Sequence, residues 1–187
     1  MSFAPTKSGS LASPRTTKLG GLHRGHRSRI VEILEATNAF RDDEIAVALE
    51  LFDEVFATHS RAPFDAGDGV ESYEFIGAFS REGELIGYAC YGATPGTLGT
   101  YDLYWIAVHP EHQGEGGGSR LLDEVERRLN EREARLLVVE TSSRTDYEST
   151  RRFYEGRQYR EFARLSDFYA FGDDRVIYAK RLRDVSS

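Results

Sequence analysis

The chain of 187 residues is 40% apolar and 29% charged, a balance that suits one globular domain around a single core. No stretch approaches the roughly 18 uninterrupted apolar residues of a membrane span, nothing near the start reads as a secretory leader, and a lone Cys90 excludes an internal disulfide, so a cytoplasmic setting is expected. Residues 1–29 hold six Lys or Arg and no acid, so the remainder carries −13 against −7 for the whole chain, which disfavours nucleic acid and favours cationic partners.

The basic start, with Lys7, Arg15, Lys18, Arg24 and Arg27 among Ser, Thr, Gly and Pro, predicts a flexible extension over residues 1–27 and a folded domain over 28–187. Ile30, Ile33, Leu34 and Thr37 recur at helical spacing within 28–40. Asp42 offers an N-cap to a second amphipathic helix that ends near His59, and residues 61–71 read as a loop. Residues 73–79 and 84–91 predict a hairpin around Arg81-Glu82-Gly83. A strand over 101–108 is stopped by His109-Pro110, because proline brings no backbone donor. A glycine-rich loop over 113–118 leads into a helix over about 119–132, with Leu121, Leu122, Val125 and Leu129 on one face. Residues 136–141 predict a short strand buried on both faces. A short helix over 147–156 carries Phe153 and Tyr154, and closing strands near 160–169 and 175–182 flank a Gly172-Asp173-Asp174 turn. This order predicts an α/β fold of the α+β kind, a mixed sheet with helices packed against it.

The most informative stretch is YDLYWIAVHPEHQGEGGGSRLL, residues 101–122, in which a strand enters a glycine loop that opens directly into a helix. The first N–H groups of a helix lack internal partners and carry the positive end of its dipole. Glycines let that backbone approach an anion closely, so the segment predicts a phosphate cradle. There is no GKS or GKT, and Gly114-x-Gly116-Gly117-Gly118 is not a dinucleotide fingerprint.

Gln113-x-x-Gly116-x-Gly118, after Ile106-Ala107-Val108, resembles the acetyl-CoA pyrophosphate loop of the GNAT acetyltransferases. The resemblance continues through Leu136-Leu137-Val138-Val139-Glu140 and Thr150-Arg151-Arg152-Phe153-Tyr154, spanning about 73–182. It implies a mixed, mostly antiparallel central sheet flanked by helices, with a strand-loop-helix acetyl-CoA site. Two positions depart from the family pattern: Gly117 stands where an apolar residue is usual, and Gln158 where glycine usually precedes the aromatic at 159, so the turn there is expected to shift.

The resemblance further implies that the strand at 105–108 splays from its neighbour. Ile106, Ala107 and Val108 would then bond the pantetheine arm and help polarise the thioester carbonyl. Gln113, Gly114, Glu115, Gly116, Gly117, Gly118 and Ser119 would hold the pyrophosphate, and Tyr154 matches the family's general acid toward the coenzyme thiolate. For the base three readings stay open: Asp102, which lies far along its strand; Glu140 as a substrate-holding or relay group; and a water chain. Tyr104 lies on the Asp102 face and nearer the reacting end.

No metal is expected, since His109 and His112 have no evident third ligand. Cys90 reads as a small core residue, and Trp105 as core or as a wall of the acceptor pocket. Arg144, Arg151 and Arg152 read as exposed helix cations rather than coenzyme contacts. The expected activity is direct acetyl transfer from acetyl-CoA to a primary amine of a small molecule or peptide, with neither nucleic acid nor membrane as partner and a homodimer possible through a strand edge. The competing classes are a non-catalytic acyl-CoA-binding sensor and a phosphate-binding domain with another cofactor. Acceptor specificity is expected in residues 42–69, residues 94–100 and the closing hairpin.

Overall fold

In the computed structural model, which describes residues 17–58 and 73–183, the apolar stripe of the first helix packs as its spacing predicts. Helix α1 (Arg27–Thr37) buries Ile30, Ile33 and Leu34, and Asn38 ends it in the left-handed conformation at φ 49°. Helix α2 (Asp42–Thr58) has Asp42, Asp43 and Glu44 in its first turn, where carboxylates favour the helix dipole. Asp42 is therefore inside the helix rather than its cap. The preceding Arg41 donates its N–H to Glu44 Oε2 at 2.8 Å, half of a capping box.

Seven strands form one sheet: β1 (Lys18–Gly20), β2 (Tyr73–Phe79), β3 (Leu85–Ala93), β4 (Thr100–Val108), β5 (Leu136–Ser142), β6 (Arg160–Ala170) and β7 (Asp173–Arg181). Their order is β1-β2-β3-β4-β5-β7-β6, and only β4 and β5 run parallel. Helix α3 (Gly117–Glu131) makes the crossover between that pair, and α4 (Glu148–Glu155) follows β5. This is the mixed, mostly antiparallel sheet flanked by helices that the resemblance implies.

Strand β3 is apolar throughout and buried in all but its last residue because both faces of the sheet are covered there. Strand β5 is not buried on both faces as expected, since Leu136 and Val138 are half-buried and Glu140 is exposed where the strand leaves β4. On one face Leu121, Leu122, Val125 and Leu129 of α3 pack with Tyr91 and Leu137. On the other, α1 and α2 pack Ile33, Leu34 and Phe52 against Phe75, Tyr88 and Cys90. No helix among the described residues is long and apolar enough to cross a membrane.

Two expectations need correction. Residues 17–27 belong to the fold rather than to a flexible extension: Lys18, Leu19 and Gly20 pair with Phe79, Ala78 and Gly77. Leu19 and Leu22 pack on opposite faces, so the edge of β2 and two half-buried apolar side chains hold the segment in place. Residues 1–16 and the loop expected at 61–71 lie outside the described residues. The closing turn is also tighter than expected, because Ala170 already pairs with Asp173. Gly172 turns the chain at φ 78°, and Asp173 begins β7.

Candidate active site

Strands β4 and β5 face each other from Thr100↔Leu136 to Leu103↔Val139 and then part. A bulge sends them apart: Cys90 pairs with Trp105 and Tyr91 with Leu103, leaving Tyr104 as the extra residue. The packing records the consequence. Leu103, Ile106 and Val108 contribute to the α3 side, whereas consecutive Tyr104 and Trp105, then Ala107, pack on the α1–α2 side. Beyond the bulge β4 stays on β3 as far as Val108↔Gly87, and β5 stays on β7 as far as Ser142↔Arg175. The β4 edge over Trp105–Val108 thus loses its strand partner and opens a gap of about 230 Å³, bordered by Ile106, Ala107, Val139, Glu140 and Tyr154.

At one end of the gap a cleft of about 470 Å³ is lined by Val108, Gln113, Gly114, Gly116–Ser119, Thr150 and Phe153. Gly116 caps α3 at φ 85°, a conformation that side-chain-bearing residues rarely adopt. No side chain caps the helix and its first turn holds no acid, so its N–H groups and dipole are left to an anion. Gln113 Nε2 donates to the Val108 carbonyl at 3.0 Å, tying the loop to the end of β4. Glu115 stands apart from the other loop residues. It pairs with His112 at 3.6 Å and borders a separate cavity with Thr17 and Arg81.

Tyr154 reaches the gap from α4 and is 3% exposed, packed edge-on to Tyr159 at 5.5 Å and against Tyr178 at 6.4 Å. Burial pushes its phenol well above the ordinary tyrosine range, so it keeps its proton at neutral pH. Glu140 also borders the gap, ion-paired with Arg175, whose guanidinium lies 4.8 Å from the centre of the Phe168 ring. Asp102 is not brought there. It sits in the paired part of β4 and accepts a 2.6 Å hydrogen bond from Thr94 Oγ1.

A smaller cavity of about 180 Å³ adjoins the gap across Tyr104, Trp105 and Glu140. Its further walls are Phe40, Tyr147, Tyr169 and Asp173, none of which the sequence marks as site residues. Tyr147 donates its hydroxyl to the Ala39 carbonyl at 2.7 Å, which holds the α1–α2 connection over this cavity. Burial raises its phenol to about 12. Aromatic residues near turns carry no local signal of a shared pocket, since only the fold brings positions 40, 147 and 169 together.

Cys90 is fully buried, and burial pushes its thiol up, away from the nucleophilic form. His109 Nδ1 accepts from the Glu111 N–H at 3.4 Å, a local cap of the short turn before the glycine loop. Among the described residues no group of three or more His, Cys, Asp or Glu is placed to hold a metal.

Residues 36–158 match the model of the acetyltransferase (GNAT) family. A protein from Desulfovibrio desulfuricans assigned to that family is 37% identical, aligns over 90% of this chain and 100% of its own, and superposes with a TM-score of 0.78. The ribosomal-protein-S18-alanine N-acetyltransferase of Escherichia coli shares the fold at 18% identity and a TM-score of 0.69, over 92% of this chain and 97% of that one. So does YncA from Salmonella typhimurium, solved with acetyl-CoA, at 17% identity and a TM-score of 0.67, over 91% and 96%. No curated protein matches the chain. With the family model covering well over half of its residues and a relative above 30% identity along nearly its whole length, the chain belongs to the GNAT family of acetyltransferases.

Proposed function

We propose that this protein is an acetyl-CoA-dependent N-acetyltransferase that passes the acetyl group directly to a primary amine of a small molecule or peptide, in the cytoplasm. The observation that carries this reading is the parting of β4 and β5 after Leu103↔Val139, beside an uncapped helix N-terminus. That arrangement joins an anion cradle to a gap lined with strand backbone, which fits a coenzyme with a phosphate end and a peptide-like arm. YncA, of the same fold, was solved with acetyl-CoA.

In this reading the N–H groups at Gly117–Ser119 receive the pyrophosphate, and the free β4 edge at Ile106–Val108 receives the amides of the arm. A backbone N–H near Ala107 or Val108 polarises the thioester carbonyl. The amine nitrogen attacks the carbonyl carbon, and the C–S bond breaks as the C–N bond forms. The ammonium proton leaves through water beside Glu140, and Tyr154 gives its proton to the departing thiolate. Transfer is direct because the one cysteine is buried with its thiol held protonated.

The test is thiol release from acetyl-CoA across a panel of amines, comparing the wild type with Tyr154→Phe. Amine-dependent release that falls roughly 10²-fold in the variant supports the reading. Acetyl-CoA binding without release by any amine points to a non-catalytic acyl-CoA sensor, and no binding at all overturns the proposal.

A further inference from the structure

We propose that Asp173 recognises a second cationic group on the acceptor, remote from the reacting amine, so that the preferred acceptor is a diamine-like molecule with an apolar spacer. This deepens the proposed function and rests on its placement of the acceptor in the β4–β5 gap.

Asp173 is 7% exposed and lines the cavity that adjoins the gap. Ser142 Oγ donates to its Oδ1 at 2.5 Å, and the same Oγ accepts the Arg144 N–H at 3.0 Å, which fixes the hydroxyl and the carboxylate. Asp173 Oδ2 accepts no hydrogen bond from the described residues, and the carboxylate has no ion-pair partner among them. Oδ2 is therefore open to the cavity, and a cation entering it would pair with a carboxylate that the fold already holds in place.

Three of the other charges of the cavity are already matched. Glu140 pairs with Arg175, Arg41 with Asp43 at 3.0 Å, and Arg144 with Asp146. Glu44 accepts the Arg41 N–H. The charges left open to a ligand are thus both negative, Asp173 at the buried end and Glu44 beside it, and the pairings argue against a carboxylate-bearing acceptor, for which Arg41 or Arg144 would have to be released. Phe40, Trp105, Tyr147 and Tyr169 line the same space and offer apolar surface to a spacer and ring faces to an ammonium.

Register sets the direction. Glu140 and Ser142 alternate onto the same face of β5, so the Ser142–Asp173 pair lies roughly 7 Å along the strand from Glu140 at about 3.3 Å per residue. An amine reacting beside Glu140 would place a second cation, after a short alkyl spacer, at Asp173.

Cadaverine, n-hexylamine and ε-aminocaproate differ at one end only, which is an ammonium, a methyl or a carboxylate. Calorimetric titration of each into the CoA-loaded protein reads recognition without turnover, and kcat/KM with acetyl-CoA reads it with turnover. Cadaverine should bind roughly tenfold or more tightly than n-hexylamine, and Asp173→Asn should bring the ratio toward one. Equal binding of the two amines, or a preference that survives in Asp173→Asn, overturns the proposal, as does preferential binding of ε-aminocaproate. Acetyl-CoA titration and thermal melting verify that the variant is folded, and Asp173→Ser is the second variant if it is not. Asp173-dependent binding of cadaverine without turnover of any amine would leave this inference standing while the proposed function fails.

Discussion

Leu103 and Val139 are the last residues to face one another across the parallel β4–β5 pair, and Tyr104 immediately after Leu103 is the bulge that drives the strands apart. Everything before this point is closed sheet, and everything beyond it is ligand-accessible backbone. The relationship sorts the acidic candidates: Asp102 precedes the parting and Glu140 follows it.

Asp102→Asn is accordingly expected to leave kcat within about twofold of wild type, with a stability loss of about 1 kcal/mol from the weakened Thr94 hydrogen bond. Glu140→Gln is expected to raise the acceptor KM at least tenfold, because it also frees Arg175, whose Nε is already buried without a partner. Steady-state kinetics with the best acceptor checks both. A large loss of kcat in Asp102→Asn would return that residue to the chemistry.

Gly117 opens α3, and a Cβ built there lies 3.7 Å from Val108 Cγ1, an ordinary contact. Its φ is not in the left-handed region, so the helix start carries glycine without a conformational need. Gly117→Ala should raise the stability of the coenzyme-free protein by about 0.5–1 kcal/mol, chiefly by narrowing the unfolded ensemble. Urea unfolding of both proteins is the measurement, and a loss of stability would mean that α3 cannot keep its place over Val108.

Gln158 adopts φ 70° between Arg157 and Tyr159, so it takes the left-handed conformation that glycine usually supplies in the family. The turn is not shifted onto Gly156, which is right-handed at φ −63°. Left-handed backbone costs a non-glycine residue about 1–2 kcal/mol, partly offset because glycine loosens the unfolded chain. Gln158→Gly should therefore stabilise the protein by about 0.5–1 kcal/mol in the same unfolding assay, whereas Gln158→Val should destabilise it.

Burial raises the phenols of Tyr88, Tyr154 and Tyr159 above their ordinary range. In the unfolded chain these groups ionise near pH 10, while in the folded protein they keep their protons. Above that pH the folded state binds more protons than the unfolded one, so stability falls as pH rises. Unfolding free energy should be insensitive to these groups below about pH 9 and then decline, by up to about 1.4 kcal/mol per pH unit for each phenol. The decline should shrink in Tyr88→Phe, which also removes a hydroxyl buried without a hydrogen-bond partner.

Much of the architecture is legible in the residue order because its signals are local. Helical spacing places Leu121, Leu122, Val125 and Leu129 on one face, and all four are fully buried. The hairpin of β2 and β3 and the glycine loop into α3 follow from turn chemistry within a few residues. Lys18–Gly20 is harder to see, since a three-residue strand owes its existence to the open edge of β2 rather than to its own propensity.

Set by the residue order alone are the helices, the strands from β2 onward, their succession along the chain and the uncapped helix start after the glycine loop, because backbone hydrogen bonding, glycine conformation and the helix dipole act over neighbouring residues. Tertiary structure alone decided which carboxylates matter. A one-residue bulge at Tyr104 separates Asp102 from the gap, and the tight turn at Gly172 carries Asp173 into β7 and onto Ser142, thirty-one positions away in the chain. Burial and charge pairing depend on what packs around a group, and for Asp173 those neighbours come from distant segments.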